Sequence, residues 1–90
     1  MDVSCCGSNA YTLSRGQQFD FVNYNSQEVQ ITGCNPPLAA LNYTVPAAQG
    51  STPGRCPAQI ASGAADGSYG LTASGCGALP PGAPTIKVSG

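Results

Sequence analysis

The stretch GQQFDFVNYNSQEVQITG, Gly16 to Gly33, holds two strand patterns and a turn in unbroken succession. Phe19 and Phe21 alternate with Gln18 and Asp20. After a polar turn of Tyr24, Asn25, Ser26 and Gln27, the alternation resumes with Val29 and Ile31 against Glu28, Gln30 and Thr32. A period of two describes strands with one face buried. The segment is expected to supply a pair of strands forming one wall of a β-sandwich. It carries no histidine, no paired carboxylates and no serine beside a base, so it speaks for a fold rather than a chemistry.

Alternation recurs on either side. Residues 2 to 6 read as a first edge strand, Ala10 to Ser14 as a second with Tyr11 and Leu13 inward, and Tyr43 and Val45 as part of another that Pro46 closes. Cys56 to Ala61 is a short strand limited by Pro57 to an edge or a first position. The turn Ala65-Asp66-Gly67-Ser68 precedes Tyr69, Leu71 and Ala73 at alternate positions, so residues 58 to 62 and 68 to 73 are expected to pair as a hairpin. Ile86 and Val88 point inward from a last strand, Thr85 to Ser89. Pro36-Pro37 forces an extended linker. Leu38 to Leu41 is the one place where a short helical turn is conceivable. Twelve Gly and eight Pro in 90 residues disfavour long helices and suit short strands joined by tight turns. The expected fold is all-β, a single domain over residues 1 to 90, built as a small Greek-key β-sandwich of about seven short strands.

The charge balance narrows the partners. Three Lys and Arg against four Asp and Glu, a formal net charge of −1, leave no basic surface for the phosphate contacts on which nucleic-acid binding rests. An anionic membrane surface is disfavoured for the same reason, and no apolar run approaches the roughly 20 residues needed to cross a bilayer. Asp20, Glu28 and Asp66 lie on separate elements with outward parity or in a turn. A catalytic acid and base must converge in one pocket, so the residues support no enzyme, and solvated charge is the expected role of all three.

Five cysteines, Cys5, Cys6, Cys34, Cys56 and Cys76, are many for 90 residues, and without histidine no mixed Cys and His zinc site is possible. The preferred reading is a disulfide framework in an exported protein, secreted, periplasmic or on the cell surface. The odd number leaves at least one thiol unpaired or bonded to another chain. No signal peptide is visible ahead of Val3, so export implies a targeting segment already removed. Asn42-Tyr43-Thr44 fits the N-glycosylation acceptor pattern, which has meaning only in a eukaryotic secretory pathway.

Three segments resemble the cupredoxin family, the small Greek-key sandwiches that hold a blue copper ion. Gly16 to Asn23, GQQFDFVN, is similar to that family's glycine turn, alternating strand and terminal asparagine. Asp66 to Ala73, DGSYGLTA, is similar to the turn and Gly-x-Tyr strand that leads to the copper loop, and TIKVSG, Thr85 to Gly90, to its final strand. The copper ligands are missing. Gln27 and Glu28 stand where the resemblance implies a first histidine, and Ala73 stands where it implies the cysteine, with Cys76 three residues further on. The second histidine has no counterpart. Blue copper requires two imidazoles and a thiolate, so the resemblance implies a copper-less scaffold with no cofactor.

The same resemblance implies parallel first and third strands, placing Cys5 and Cys6 at the end of the sandwich that carries Cys76. A bridge from one of the vicinal pair to Cys76 is then expected. A Cys34–Cys56 bridge would close a loop of about 22 residues, a stabilisation of roughly 3 kcal/mol by chain entropy. Two bridges among five cysteines allow about 15 arrangements, so connectivity stays open.

The expected role is a non-catalytic structural or protein-interaction module, with another protein as partner. Leu38, Leu41 and Leu79, on the charge-poor loops 35 to 42 and 74 to 84, form a candidate apolar patch; the competing expectation is that they fold over the open ends of the core. The alternative function is thiolate binding of Cu(I) or another soft metal by Cys5, Cys6 and Cys76, although no basic residue lies near the vicinal pair to activate its thiols.

Overall fold

The structure, a computed structural model, describes residues 1–33, 37–76 and 82–89. β1 (Asp2–Ser4), β2 (Ala10–Leu13), β3 (Gln18–Asn23), β4 (Val29–Thr32), β5 (Tyr43–Val45), β6 (Gly54–Gln59), β7 (Gly67–Gly70), β8 (Thr72–Ser74) and β9 (Thr85–Val88) make nine strands among the described residues. They form three three-stranded sheets in the orders β1-β3-β6, β2-β9-β7 and β5-β4-β8. The result is a compact all-β domain consistent with a small β-sandwich. About seven strands were expected, and part of the excess lies at Leu71. The inward alternation of Tyr69, Leu71 and Ala73 runs through without interruption, but pairing changes partner there, so one sequence pattern becomes β7 against β9 and β8 against β4.

β3 is the centre of the first sheet, with β1 parallel on one side (Val3 opposite Phe21) and β6 antiparallel on the other (Phe21 opposite Cys56). Its phenylalanines face the core as their parity demands. Phe19 and Phe21 pack edge to face with centroids 5.1 Å apart, and Phe21 meets Tyr43 of β5 at 5.5 Å, which joins two different sheets through one aromatic cluster. Val29, Ile31, Val45, Leu13, Ile86 and Val88 are buried with them, as are Val3, Leu38, Ile60 and Leu71.

The two strand patterns of Gly16–Gly33 do not form one wall. β3 belongs to the first sheet and β4 pairs with β5 and β8, so the turn between them carries the chain from one sheet to another. The expected hairpin between 58–62 and 68–73 is also absent, because β6 pairs with β3 and β7 with β9. The chain leaves β6 through a turn closed by the Ala64 N–H to the Ala61 carbonyl, 3.1 Å, and the Arg15 guanidinium fastens the exit by donating to the Ala64 carbonyl and pairing with Asp66. No helical turn forms at Leu38. The Ala61 N–H donates to the Pro37 carbonyl and the Ala39 N–H to the Gln59 carbonyl, and Leu38 makes an isolated bridge to Ile60. Pro57 sits within β6, at the edge position where a missing ladder donor is tolerated.

On the outer face of the first sheet, Arg55 donates to Asp2 (2.8 and 3.2 Å) and lies 3.5 Å from Asp20, linking all three strands. This hydrogen bond holds the Asp2 carboxyl below the usual carboxylate range. A depressed folded-state pKa adds stability above the unfolded pKa and loses it as pH falls through the folded value. Arg55→Gln is expected to return the Asp2 titration to the ordinary carboxylate range in an NMR pH series; an unmoved titration would show that the contact is not maintained in solution.

Gly54 opens β6 where the backbone of the preceding loop crosses it. A Cβ at this position would fall 1.8 Å from the Pro46 carbonyl oxygen, whereas one at Gly70 would meet nothing within 4 Å. Gly54→Ala is therefore expected to destabilise the domain by at least about 2 kcal/mol in urea unfolding, and Gly70→Ala by much less. Equal effects would refute the close approach.

Candidate functional site

The side chains with chemical potential gather at one end of the domain. β1 and β3 are parallel and both run toward it, as do β5 and β8, so Cys5, Cys6, Asn23, Pro46 and Cys76 follow directly from strand termini. The parallel register continues past β1, where the Cys5 N–H donates to the Val22 carbonyl at 3.1 Å.

Asn23 organises this end and is the one buried polar side chain among the described residues. Its Nδ2 donates to the Gln27 carbonyl at 2.7 Å and to the Pro46 carbonyl at 3.1 Å, and its Oδ1 accepts from the Asn25 N–H at 2.9 Å. The last contact is an Asx turn, in which asparagine replaces a backbone carbonyl and bends the chain two residues on. The other two hold the β3–β4 crossing against the β5–β6 crossing. Asn25 extends the network by donating from Nδ2 to the Gly75 carbonyl, 2.9 Å, and by accepting from the Ala48 N–H, 2.8 Å.

A disulfide joins Cys6 to Cys76 with Cα atoms 5.9 Å apart, linking the end of β1 to the residue region after β8. Cys5 is a fully buried free thiol, its Sγ 3.7 Å from the Cys6 Sγ. Burial pushes the Cys5 thiol up to about 11. Cys56 on β6 is a half-buried free thiol, with its pKa also raised by desolvation. Cys34, the partner expected for it, lies outside the described residues.

Of the three cysteines considered as soft-metal ligands, two are consumed by the disulfide. Among the described residues no group of three Cys, Asp or Glu side chains is arranged to hold a metal ion. Two of the three leucines of the candidate apolar patch are described. Leu38 is fully buried in the core, Leu41 is 58 % exposed, and Leu79 lies outside the described residues. Asn42 is exposed just ahead of β5. The three carboxylates stay apart, with Asp20 near Arg55, Asp66 on Arg15 and Glu28 exposed. No helix among the described residues is long and apolar enough to cross a membrane.

An open cleft lies over β3, β5 and β6, lined by Phe19, Tyr43, Pro57 and Ala58 with Gln18, Asp20 and Gln59 at its polar positions. Sequence reading missed it, because its wall combines strands far apart in the chain. The alternation of each strand carries no sign of which other strands it will lie beside.

Replacing Asn23 tests the end as a unit. Asn23→Ala leaves the Gln27 and Pro46 carbonyls and the Asn25 N–H without their partner and is expected to lower stability by roughly 3 kcal/mol in urea unfolding. Asn23→Asp keeps the acceptor but turns a carboxylate toward two carbonyls, raising its folded pKa. Its deficit is then full above the folded pKa and shrinks as pH falls from that value to the unfolded one; a pH-independent deficit would refute the donor role.

Comparison of the chain with protein-family models, with characterised proteins and with solved structures finds no match. The fold therefore stands on its own geometry, an all-β, multi-sheet domain consistent with a small β-sandwich.

Proposed function

We propose that this domain is a non-catalytic structural or protein-interaction module acting outside the cytoplasm, built on a copper-less, cupredoxin-like Greek-key scaffold. The observation that carries the reading is the Cys6–Cys76 disulfide at the end where the resemblance would seat copper. It closes a loop 70 residues long, a stabilisation of roughly 4 kcal/mol by chain entropy, and ties two strand termini instead of presenting thiolates. Small domains with limited cores rely on such cross-links, and they persist in oxidising compartments. The exposed Leu41 and Tyr24 supply apolar contact area that a protein partner would cover.

Soft-metal binding competes for the same sulfurs, and the disulfide favours the structural reading over it. Intact mass and thiol alkylation of protein purified without reductant are expected to show Cys6 and Cys76 protected, Cys5 and Cys56 as thiols once unfolded, and no bound metal. The same assay with Cu(I) under reducing conditions is expected to leave Cys5, Cys6 and Cys76 alkylatable. Protection of all three by the metal would overturn the proposal in favour of metal handling.

A further inference from the structure

We propose that the Cys5 thiol is a built-in nucleophile toward the Cys6–Cys76 disulfide, and that the domain exchanges this cross-link for a vicinal Cys5–Cys6 disulfide that releases Cys76 as a thiol. In a continuous strand, adjacent side chains point to opposite faces. β1 instead stops at Ser4, and a bend over residues 5 to 7, with Gly7 at φ 93°, turns both cysteines inward. Cys5 and Cys6 are thereby 0 % and 5 % exposed, and their sulfurs stand in contact at 3.7 Å.

The exchange is redox-neutral. Cys5 loses its proton to solvent, and its thiolate sulfur forms a bond to the Cys6 Sγ. The Cys6–Cys76 bond breaks, and Cys76 leaves as a thiolate that takes up a proton. One disulfide and one thiol are present before and after, so no external oxidant or reductant enters. The product unhooks the chain after β8 from the end of β1, while Asn25 still holds the Gly75 carbonyl. The cross-link is thus a latch that the domain itself can open.

Burial keeps the latch slow. Desolvation is the main cause of the raised Cys5 pKa, opposed by a weaker backbone hydrogen bond. The charged and titratable groups on the adjoining elements are Asp2, Asp20 and Arg55 of the first sheet, Glu28 beside β4 and the Tyr11 phenol of β2. The attacking thiolate is then a minor species at neutral pH and increases about tenfold per pH unit below its pKa.

The test uses the whole chain purified without reductant, diluted into neutral and mildly alkaline buffers, quenched with acid, alkylated and cleaved after Arg15 and Arg55. Cleavage separates Cys5 and Cys6 from Cys56 and Cys76. The expected result is a time-dependent appearance of residues 1 to 15 unlinked and two hydrogens light, with matching alkylation of Cys76. Its rate should rise about tenfold per pH unit, be independent of protein concentration, persist in Cys56→Ser and vanish in both Cys5→Ser and Cys5→Ala. Persistence of the Cys6–Cys76 link at every pH, or release of Cys76 in the Cys5 variants, would overturn the proposal while leaving the stapled module intact. A chain isolated with Cys6 and Cys76 both alkylatable would overturn both readings.

Discussion

The carboxamide of Asn23 is the constraint on which the architecture turns. A buried amide without partners is expensive, and the partners available here are the Gln27 and Pro46 carbonyls and the Asn25 N–H. Those groups belong to two chain crossings that run in opposite senses, β3 to β4 and β5 to β6. Satisfying one side chain therefore fixes the relative position of two sheets. The same requirement brings the Pro46 carbonyl so close to β6 that Gly54, opposite Asn23 in the ladder, has no room for a side chain.

Around that anchor the core is small and its reinforcement is local. Phe19, Phe21 and Tyr43 form the aromatic contact between sheets, and branched aliphatics fill the remainder. Charge contributes little to such a chain. Arg15 and Arg55 each tie neighbouring segments on the exposed surface, where ion pairs are weak. The cross-link between Cys6 and Cys76 carries more, because it restricts an unfolded chain of nearly the full length of the domain.

Network and cross-link meet at one end. Asn25 reaches the Gly75 carbonyl, one residue before Cys76, so the arch after β3 and the disulfide after β8 are parts of a single cap. A free thiol, Cys5, is buried against that disulfide within the cap. The cleft lined by Phe19 and Tyr43 opens elsewhere on the surface, away from the disulfide.

Strand faces were legible from the chain alone. Alternation placed Phe19, Phe21, Val29, Ile31, Leu13, Ile86 and Val88 inward, and each is buried, because side-chain parity is a local property of extended backbone. The cysteine density and the absence of histidine likewise followed from composition. Partners were not legible. The pattern of Gly16–Gly33 suits a hairpin and a crossing between sheets equally, and the crossing is held by ladders to other strands and by the bond from Asn23 to Pro46, 23 residues away. The second hairpin failed for the same reason, since β6, β7 and β8 each found ladders in distant strands. Leu38 joined the core through a bridge to Ile60. The choice of Cys6 over Cys5 for the disulfide depended on how the chain bends after Ser4. Sequence by itself determined which side of each strand meets water, a matter of nearest neighbours; tertiary structure decided which strands meet each other, because hydrogen-bond partners and sulfur pairs are supplied by residues the local pattern does not contain.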